Sequence, residues 1–316
     1  MMRIGDAGRL ILLSAIWGSS FLLIEIGLED LSPWQIVAGR LLFGSAVLLA
    51  LLRVRGERLP SEGVTWRALA IMAIVSNIVP FSLITWGQES ITSSLAAILN
   101  STTPLFTAGI AAAMVPGERL TAMRSTGIVI GFAGVGVIVG VDVNGSGGDL
   151  AGELAVVLAS LSYAVGFVFA KRRLTGRGES PLALPAGQLA LGAAIALVPA
   201  GIATGPTADV PGAPAALSIV VLGAVGTGIA YVLYYRLVHD VGPTTASFVT
   251  YLIPVFGVAL GWTFLDETIG LNTVLGAVLV IGGITIAERG AREPAHHDFE
   301  PSPGLDAMPS MDHGEP

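Results

Sequence analysis

Ten long apolar blocks constrain this chain more than any other feature of its sequence. Each holds enough consecutive apolar residues to cross roughly 30 Å of hydrocarbon as a helix. The chain is 53% hydrophobic and only 12% charged, which is about half the charged fraction of a soluble domain. We therefore predict an all-α polytopic membrane protein with ten transmembrane helices. The predicted spans 1 to 10 cover residues 10–28, 34–52, 68–86, 91–115, 123–141, 150–170, 182–202, 215–238, 244–265 and 271–287.

The basic residues test this count independently. If the N-terminus is cytoplasmic, every lysine and arginine except Arg40 falls in a cytoplasmic segment, and the outer loops contain no lysine or arginine. This is the distribution that the positive-inside rule predicts, and an error of one span would reverse the sidedness of every later loop. We expect ten spans with both termini on the cytoplasmic side.

The second half of the chain repeats the first. The segment from Pro104 reads PLFTAGIAAAMVPGERL, and the segment from Pro254 reads PVFGVALGWTFLDETIG, with Glu118 matching Glu267 after a one-residue slip. Many secondary transporters are built from internal repeats. Because each copy holds an odd number of spans, we expect two inverted five-helix repeats. The predicted domains are residues 1–145 for the first repeat and residues 146–290 for the second.

The remaining composition excludes several classes of protein. Residues 291–316 are acidic, rich in Pro and Gly and nearly free of apolar residues, so we predict a disordered cytoplasmic tail. The absence of cysteine removes disulfide scaffolds and thiolate metal sites. The sequence contains no P-loop, HExxH pair or nucleophile elbow. We therefore expect no enzyme activity, no cofactor, no bound metal and no nucleic-acid partner.

Two matched prolines interrupt predicted spans 4 and 9. A proline inside a helix lacks an N–H and clashes with the carbonyl four residues earlier. Pro104 thus frees the carbonyl of Asn100, and Pro254 frees that of Thr250, which precedes Tyr251. Broken helices in matching places of two repeats indicate a substrate site at the midplane of a transporter. The alternative is a kink whose free carbonyl accepts hydrogen bonds from neighbouring Ser and Thr hydroxyls.

Aromatic and polar residues of spans 1, 3, 6 and 8 are further candidates for the substrate pathway. Asn77 and Phe81 flank Pro80 in span 3, and we expect Phe81 to line a cavity with Tyr231 of span 8. We assign residues nearer the span ends to the interfacial aromatic belt. These are Trp86, Tyr234 and Tyr235.

Trp17 of span 1 and Tyr163 of span 6 occupy matching positions in the two repeats. Both are followed by small residues, which after Trp17 include Ser20. A matched aromatic pair with polar tips can line a pathway or can lock two helices together. The sequence leaves both interpretations open.

Glu25 and Arg40 are ionisable residues inside spans 1 and 2. Both lie roughly 5–10 Å below the outer surface, given a rise of 1.5 Å per helical residue. An ionisable residue at such a depth is a functional hypothesis by default. The two side chains can form an ion pair that connects the spans. Alternatively, Glu25 couples transport to protons or contacts a substrate amine.

Spans 5 and 10 are rich in glycine and carry no buried charge. Gly127 and Gly131 have the small-xxx-small spacing that allows helix backbones to approach closely, and span 10 contains Gly276, Gly282 and Gly283. We expect these spans to form a scaffold or the face of a homodimer.

The segment AIWGSSFLLIEIGLEDLSPWQIVAGR resembles the opening of EamA-type permeases of the drug/metabolite transporter superfamily. The segments PGERLT and LDETIG resemble the signature at the end of each repeat in that family, and the likeness extends to about Glu288. The family more often has a basic residue where this chain has Glu25. The residues on signature positions are Trp17, Gly18, Pro33, Arg40, Pro104, Glu118, Pro254 and Glu267.

This resemblance implies two inverted repeats around a central cavity that opens alternately to either side of the bacterial inner membrane. It also implies transport without ATP hydrolysis, commonly export of amino acids or other small metabolites. We therefore predict a secondary active transporter whose partners are a small-molecule substrate and the lipid bilayer. An uptake or exchange carrier of the same fold is the main alternative. A membrane sensor or a membrane-embedded enzyme is the third.

Overall fold

The computed structural model describes residues 4–115, 118–140, 149–174, 180–204, 210–242 and 246–292. The predicted boundary between the repeats, at residues 145 and 146, lies outside these ranges. So do residues 293–316 of the predicted tail, which spans residues 291–316. Within them the chain is helical and contains no strand. Among the described residues, nine helices are long and apolar enough to cross a membrane, and a tenth apolar helix is shorter. The structure therefore confirms the prediction of a polytopic membrane protein with about ten helices.

The helices follow the predicted spans closely, with shifts of up to six residues at their ends. Helices α3, α4 and α8 contain local interruptions that are described below. The bounds are α1 Ile4–Leu28, α2 Pro33–Val54, α3 Gly63–Gly87, α4 Ser93–Met114, α5 Ala122–Gly140, α6 Leu150–Arg173, α7 Ala183–Thr204, α8 Ala213–Val241, α9 Val249–Phe264 and α10 Leu271–Arg292.

Local sequence explains why several of these helices begin where they do. Ser32 and Gln35 form a capping box at the start of α2, where Pro33 occupies the first helical turn. The carboxylate of Asp149 accepts a hydrogen bond from the backbone N–H of Ala151 at the start of α6 (2.9 Å). These caps satisfy backbone donors that would otherwise lie unpaired near the membrane surface.

The main contacts between the two halves of the chain occur in matching pairs. Helix α1 packs on α8 and α9, and correspondingly α6 packs on α3 and α4. Helix α2 packs on α8, and correspondingly α7 packs on α3. Helices α2 and α7 also pack on each other, as do α5 and α10. Exchanging the two halves therefore reproduces this set of contacts.

Helices α5 and α10 share the most extensive contact, and glycine makes it possible. A Cβ atom on Gly134 would lie 2.7 Å from the carbonyl oxygen of Gly276. A Cβ atom on Gly127 would likewise clash with the backbone of Gly283 and Ala287. The small-residue spacing thus brings α5 and α10 together within one chain. Their outer faces remain exposed.

Candidate functional site

Helices α3 and α8 each contain a π-helical segment in the middle of the span. These segments are Ile74–Ile78 in α3 and Ala224–Ile229 in α8. Asn77 lies in the first segment, and Thr227 occupies the matching position in the second. Short π-helical segments inside α-helices are frequent at functional sites.

Different residues produce the two π-helical segments. Pro80 follows the first segment and has no N–H to donate to the carbonyl of Ser76. In the second segment, the hydroxyl of Thr227 donates to the carbonyl of Leu222, five residues earlier (3.1 Å). The same distortion in both halves therefore has two local causes.

Each π-helical segment accepts a polar side chain from the opposite half of the chain. The Nε of Arg40 on α2 donates to the hydroxyl of Thr227 (3.0 Å). The amide nitrogen of Gln188 on α7 donates to the amide oxygen of Asn77 (2.5 Å). All four side chains are buried. These two hydrogen bonds are equivalent under exchange of the halves, and both connect one half to the other.

Gln188 is not among the residues predicted from the sequence, although a repeat in the sequence identifies it. Residues 32–40 read SPWQIVAGR, and residues 180–188 read SPLALPAGQ. Gln188 is therefore the counterpart of Arg40. The two positions differ in charge, because the first half carries a guanidinium where the second carries a neutral amide.

The surroundings of Arg40 define a group of residues that we call the central cluster. The guanidinium carbon of Arg40 lies 3.8 Å from the ring centroid of Phe81, and the Phe81 ring lies 6.4 Å from that of Tyr163. The phenol of Tyr231 lies beside the side chain of Asn77. The central cluster consists of Arg40, Asn77, Phe81, Tyr163, Thr227 and Tyr231.

The structure does not form the ion pair between Glu25 and Arg40. The carboxylate of Glu25 accepts a hydrogen bond from the side chain of Gln88, which follows the C-terminal end of α3 (3.2 Å). Arg40 instead turns toward α8, where it contacts Thr227. The reason is that α2 packs on the π-helical segment of α8, so the face of α2 that carries Arg40 meets α8. Glu25 is therefore not part of the central cluster.

Trp17 and Tyr163 both face the third helix of the opposite half. The ring of Trp17 lies 5.5 Å from that of Tyr234 on α8. Tyr234 and Tyr235, which the sequence analysis assigned to the interfacial belt, extend this row of rings to Tyr231. Ser20 is buried one turn from Trp17 and donates to a backbone carbonyl of α1. The aromatic row therefore reaches from α1 to the central cluster.

Helix α4 is interrupted before Pro104, between the segments Ser93–Asn100 and Thr103–Met114. The freed carbonyl of Asn100 accepts hydrogen bonds from the hydroxyls of Thr103 (2.8 Å) and Ser160 (3.3 Å). The interruption is thus a kink stabilised by hydroxyl groups. It lies next to the central cluster, because Ser160 is one turn from Tyr163 in α6. The side-chain oxygen of Asn100 is buried and has no hydrogen-bond partner among the residues that the structure describes.

The predicted break at Pro254 is wrong, because α9 continues through this proline from Val249 to Phe264. The proline removes a single backbone hydrogen bond, and the rest of the helical ladder can persist around a bend. Thr250 donates its hydroxyl to the carbonyl of Ser247 (2.7 Å), and Tyr251 packs on Phe248. The two prolines therefore do not form a symmetric pair of helix breaks.

The matched glutamates make different contacts at the two ends of the bundle. Glu267 follows α9 and accepts hydrogen bonds from the backbone N–H groups of Ser93 (2.8 Å) and Ser94 (3.0 Å) at the start of α4. The left-handed conformation of Asp266 (φ 52°) turns the chain after α9. Glu267 thus connects the second half to the first. An open groove of about 630 Å³ lies beside it, lined in part by Trp262, and does not include the central cluster.

Glu118 binds two basic side chains at the other end of the bundle. Its carboxylate accepts hydrogen bonds from Lys171 of α6 (2.9 Å) and Arg124 of α5 (2.9 Å). These hydrogen bonds, first from Lys171 and then from Arg124, lower the pKa of the Glu118 carboxyl below its usual value.

Sequence comparison finds transporters among the relatives. A model of the EamA-like transporter family matches residues 9–140 and 150–288. The uncharacterized transporter YoaV of Bacillus subtilis is 27% identical over 280 residues, which cover 87% of this chain and 94% of that protein. The uncharacterized inner membrane transporter YedA of Escherichia coli K12 is 28% identical over 294 residues, which cover 90% of each chain.

Structural comparison finds the same fold in a crystal structure. That protein is 20% identical in sequence and superposes with a TM-score of 0.65. The match covers 93% of this chain and 100% of that chain. At this level of identity the likeness concerns the fold alone.

Proposed function

This chain belongs to the EamA-like transporter family, and on that premise we propose that it is a secondary active transporter that exports small organic metabolites such as amino acids. The names of its relatives support transport as the general function. The observation that carries the proposal is the pair of hydrogen bonds Arg40–Thr227 and Gln188–Asn77, which join the two halves at the π-helical segments. Secondary transporters bind their substrates at such interfaces between repeats.

The proposed architecture is two inverted repeats, residues 1–145 and 146–290, with both termini in the cytoplasm of a bacterial cell. The matching contacts between the halves support the repeat, and the distribution of basic residues supports the orientation. In this proposal the central cluster lies between the two repeats, where a substrate can be reached from either side in turn.

Alternating access in this proposal requires the contacts between the halves to change during transport. On the outer side, Glu267 holds the start of α4. In the interior, the side chains of α2 and α7 hold the π-helical segments of α8 and α3. Movement of one half against the other must break or reform these contacts. Uptake or exchange by the same movement is the alternative to export, because the substrate gradients decide the net direction.

A homodimer through α5 and α10 is a further part of the proposal. The glycine faces of these helices pack on each other within one chain. A second copy would therefore contact the opposite faces, where Val129 is 68% exposed and Val278 is 64% exposed.

The experiment that tests transport is counterflow in proteoliposomes. The purified full-length chain is reconstituted, and labelled metabolites are pooled by charge class on one side of the membrane. We expect at least one pool to accumulate against an unlabelled excess of the same compounds, and protein-free liposomes to show no accumulation. If a correctly folded protein gives counterflow with no pool, the proposal of transport fails.

A further inference from the structure

Arg40 is a buried cation without an acidic partner in the part of the chain that the structure describes. The residue is 8% exposed, and its only hydrogen bond to the described part of the chain runs from Nε to Thr227. A guanidinium has five N–H donors, so the four on its terminal nitrogens have no acceptor among the described residues.

The groups around Arg40 do not neutralise its charge. The ionisable groups that act on it within the described residues are the phenols of Tyr163 and Tyr231, and neither is a carboxylate. The ring of Phe81 covers one face of the guanidinium and contributes a cation–π interaction. A lone charge in the interior of a membrane protein is costly unless a partner with opposite charge is present for at least part of the time.

The other buried arginine among the described residues shows the contrast. Arg124 is 6% exposed and donates to the carboxylate of Glu118 (2.9 Å) and the carbonyl of Arg119 (3.2 Å). Arg124 is therefore buried with a carboxylate partner from the chain itself. Arg40 has none among the described residues.

Asn77 adds a second donor group to the same cluster. Its side-chain oxygen accepts a hydrogen bond from Gln188, and its amino group is buried beside the phenol of Tyr231. The polar side of the cluster therefore presents N–H donors and phenol hydroxyls around one positive charge. The rings of Phe81, Tyr163 and Tyr231 supply the apolar walls.

We propose that Arg40 binds the carboxylate of the transported substrate, and that the substrates are small metabolites with a single carboxylate. This inference rests on the proposed transport function. A planar guanidinium binds a carboxylate through two parallel hydrogen bonds. A doubly charged phosphate ester would leave one negative charge uncompensated, because the counterpart of Arg40 in the second half is the neutral Gln188. The apolar part of the substrate packs on the aromatic walls.

Counterflow with matched compounds tests this assignment. Four pools are used: monocarboxylates with amino acids, amines, neutral amides with sugars, and phosphate esters. We expect counterflow with the carboxylate pool, and we expect the active acid to lose it when its carboxylate is replaced by a primary amide. Counterflow with another pool alone, or equal counterflow of acid and amide, would overturn the assignment to Arg40 and leave the transport proposal standing. If no pool gives counterflow, the result would instead contradict the proposed transport function.

Variants of Arg40 connect the preference to this residue. We expect Arg40→Gln to raise the KM for the acid about 10- to 100-fold, since a hydrogen bond to a charged group is lost, and to abolish the preference for acid over amide. Arg40→Lys keeps the charge without the planar fork and should retain the preference with a smaller rise in KM. A packing role alone would not change the ratio of acid to amide.

The matched control is Arg236→Gln, which removes an exposed arginine from α8 and should leave both the KM and the preference unchanged. If Arg40→Gln does not fold, Arg40→Lys and the acid–amide pair in the wild-type protein still decide the question. An unchanged KM and an unchanged preference in a folded Arg40→Gln protein would refute the proposal.

Discussion

Glu267 caps the first turn of α4 at Ser93, a residue 174 positions earlier in the chain. The carboxylate accepts backbone hydrogen bonds from Ser93 and Ser94 and also the hydroxyl of Ser94. A carboxylate at the N-terminus of a helix is favoured by unpaired N–H groups and by the helix dipole. Because α4 and Glu267 belong to different halves, this cap holds the two halves together at the predicted outer end.

The first prediction concerns this cap. The chain has no cysteine, so Ser20→Cys in the wild-type background provides a buried reporter for a thiol reagent added from outside. We expect Glu267→Ala to increase the labelling rate about 5- to 30-fold, which corresponds to the loss of about 1–2 kcal/mol for a helix cap. Glu29→Ala, which removes an exposed carboxylate from the same side, is the control. Equal labelling in all three proteins would show that the cap does not close the outer side.

The second prediction concerns Glu25, which has no basic partner among the described residues and contacts Gln88. Because the structure does not form the ion pair between Glu25 and Arg40, we test the alternative that Glu25 couples transport to protons. We expect Glu25→Gln to abolish the stimulation of transport by a pH gradient, because the amide cannot carry a proton across. Transport is measured in proteoliposomes with and without the gradient. Glu29→Gln should respond like the wild type, and a wild-type response from Glu25→Gln would end this idea.

The third prediction concerns Thr227 as a positioning residue for Arg40. Thr227→Val keeps the shape of the side chain and removes the hydroxyl that accepts the Nε–H of Arg40. Loss of one partner of a buried hydrogen bond costs about 1–3 kcal/mol, so we expect a several-fold rise in the KM for the acid. Thr263→Val, which removes an exposed hydroxyl on α9, should leave the KM unchanged. The hypothesis fails if both variants have the KM of the wild type.

The fourth prediction concerns the contact between α5 and α10. A methyl group at Gly127 clashes with the backbone of α10, whereas the same group at Gly136 meets no atom within 4 Å. We expect Gly127→Ala to destabilise the protein by about 1–3 kcal/mol, as overpacking does. Gly136→Ala should be neutral or stabilising, since alanine favours a helix. Thermal unfolding in detergent measures both, and equal unfolding temperatures would contradict the close packing.

The fifth prediction concerns the pH dependence that Glu118 contributes. Its pKa is lowered in the folded protein by Lys171 and Arg124. Its contribution to stability is therefore fully present above the unfolded pKa of about 4.3 and is lost as the pH falls through the folded value. We expect Glu118→Gln to unfold at a lower temperature than the wild type at pH 7, with a difference that shrinks below about pH 4. A difference that does not change with pH would exclude this ionic contribution.

The sequence by itself determined the approximate number of helices and the type of protein. These properties depend on a local quantity, the length and apolar character of each block of residues. Hydrocarbon thickness sets the length of a span whatever its neighbours are. The local sequence also predicted most of the central cluster, because polar and aromatic residues stand out inside apolar spans. These residues are Arg40, Asn77, Phe81, Tyr163 and Tyr231.

Only the tertiary structure decided which of these residues meet. Arg40 is close to Glu25 along the chain but contacts Thr227, 187 residues away, because α2 packs across the halves on α8. Gln188 likewise contacts Asn77 in the other half, because α7 packs across the halves on α3. Pro254 was expected to break a helix, but the ladder around it persists. Contacts between distant helices depend on which faces fill the shared interior, and that choice depends on all ten helices packing together.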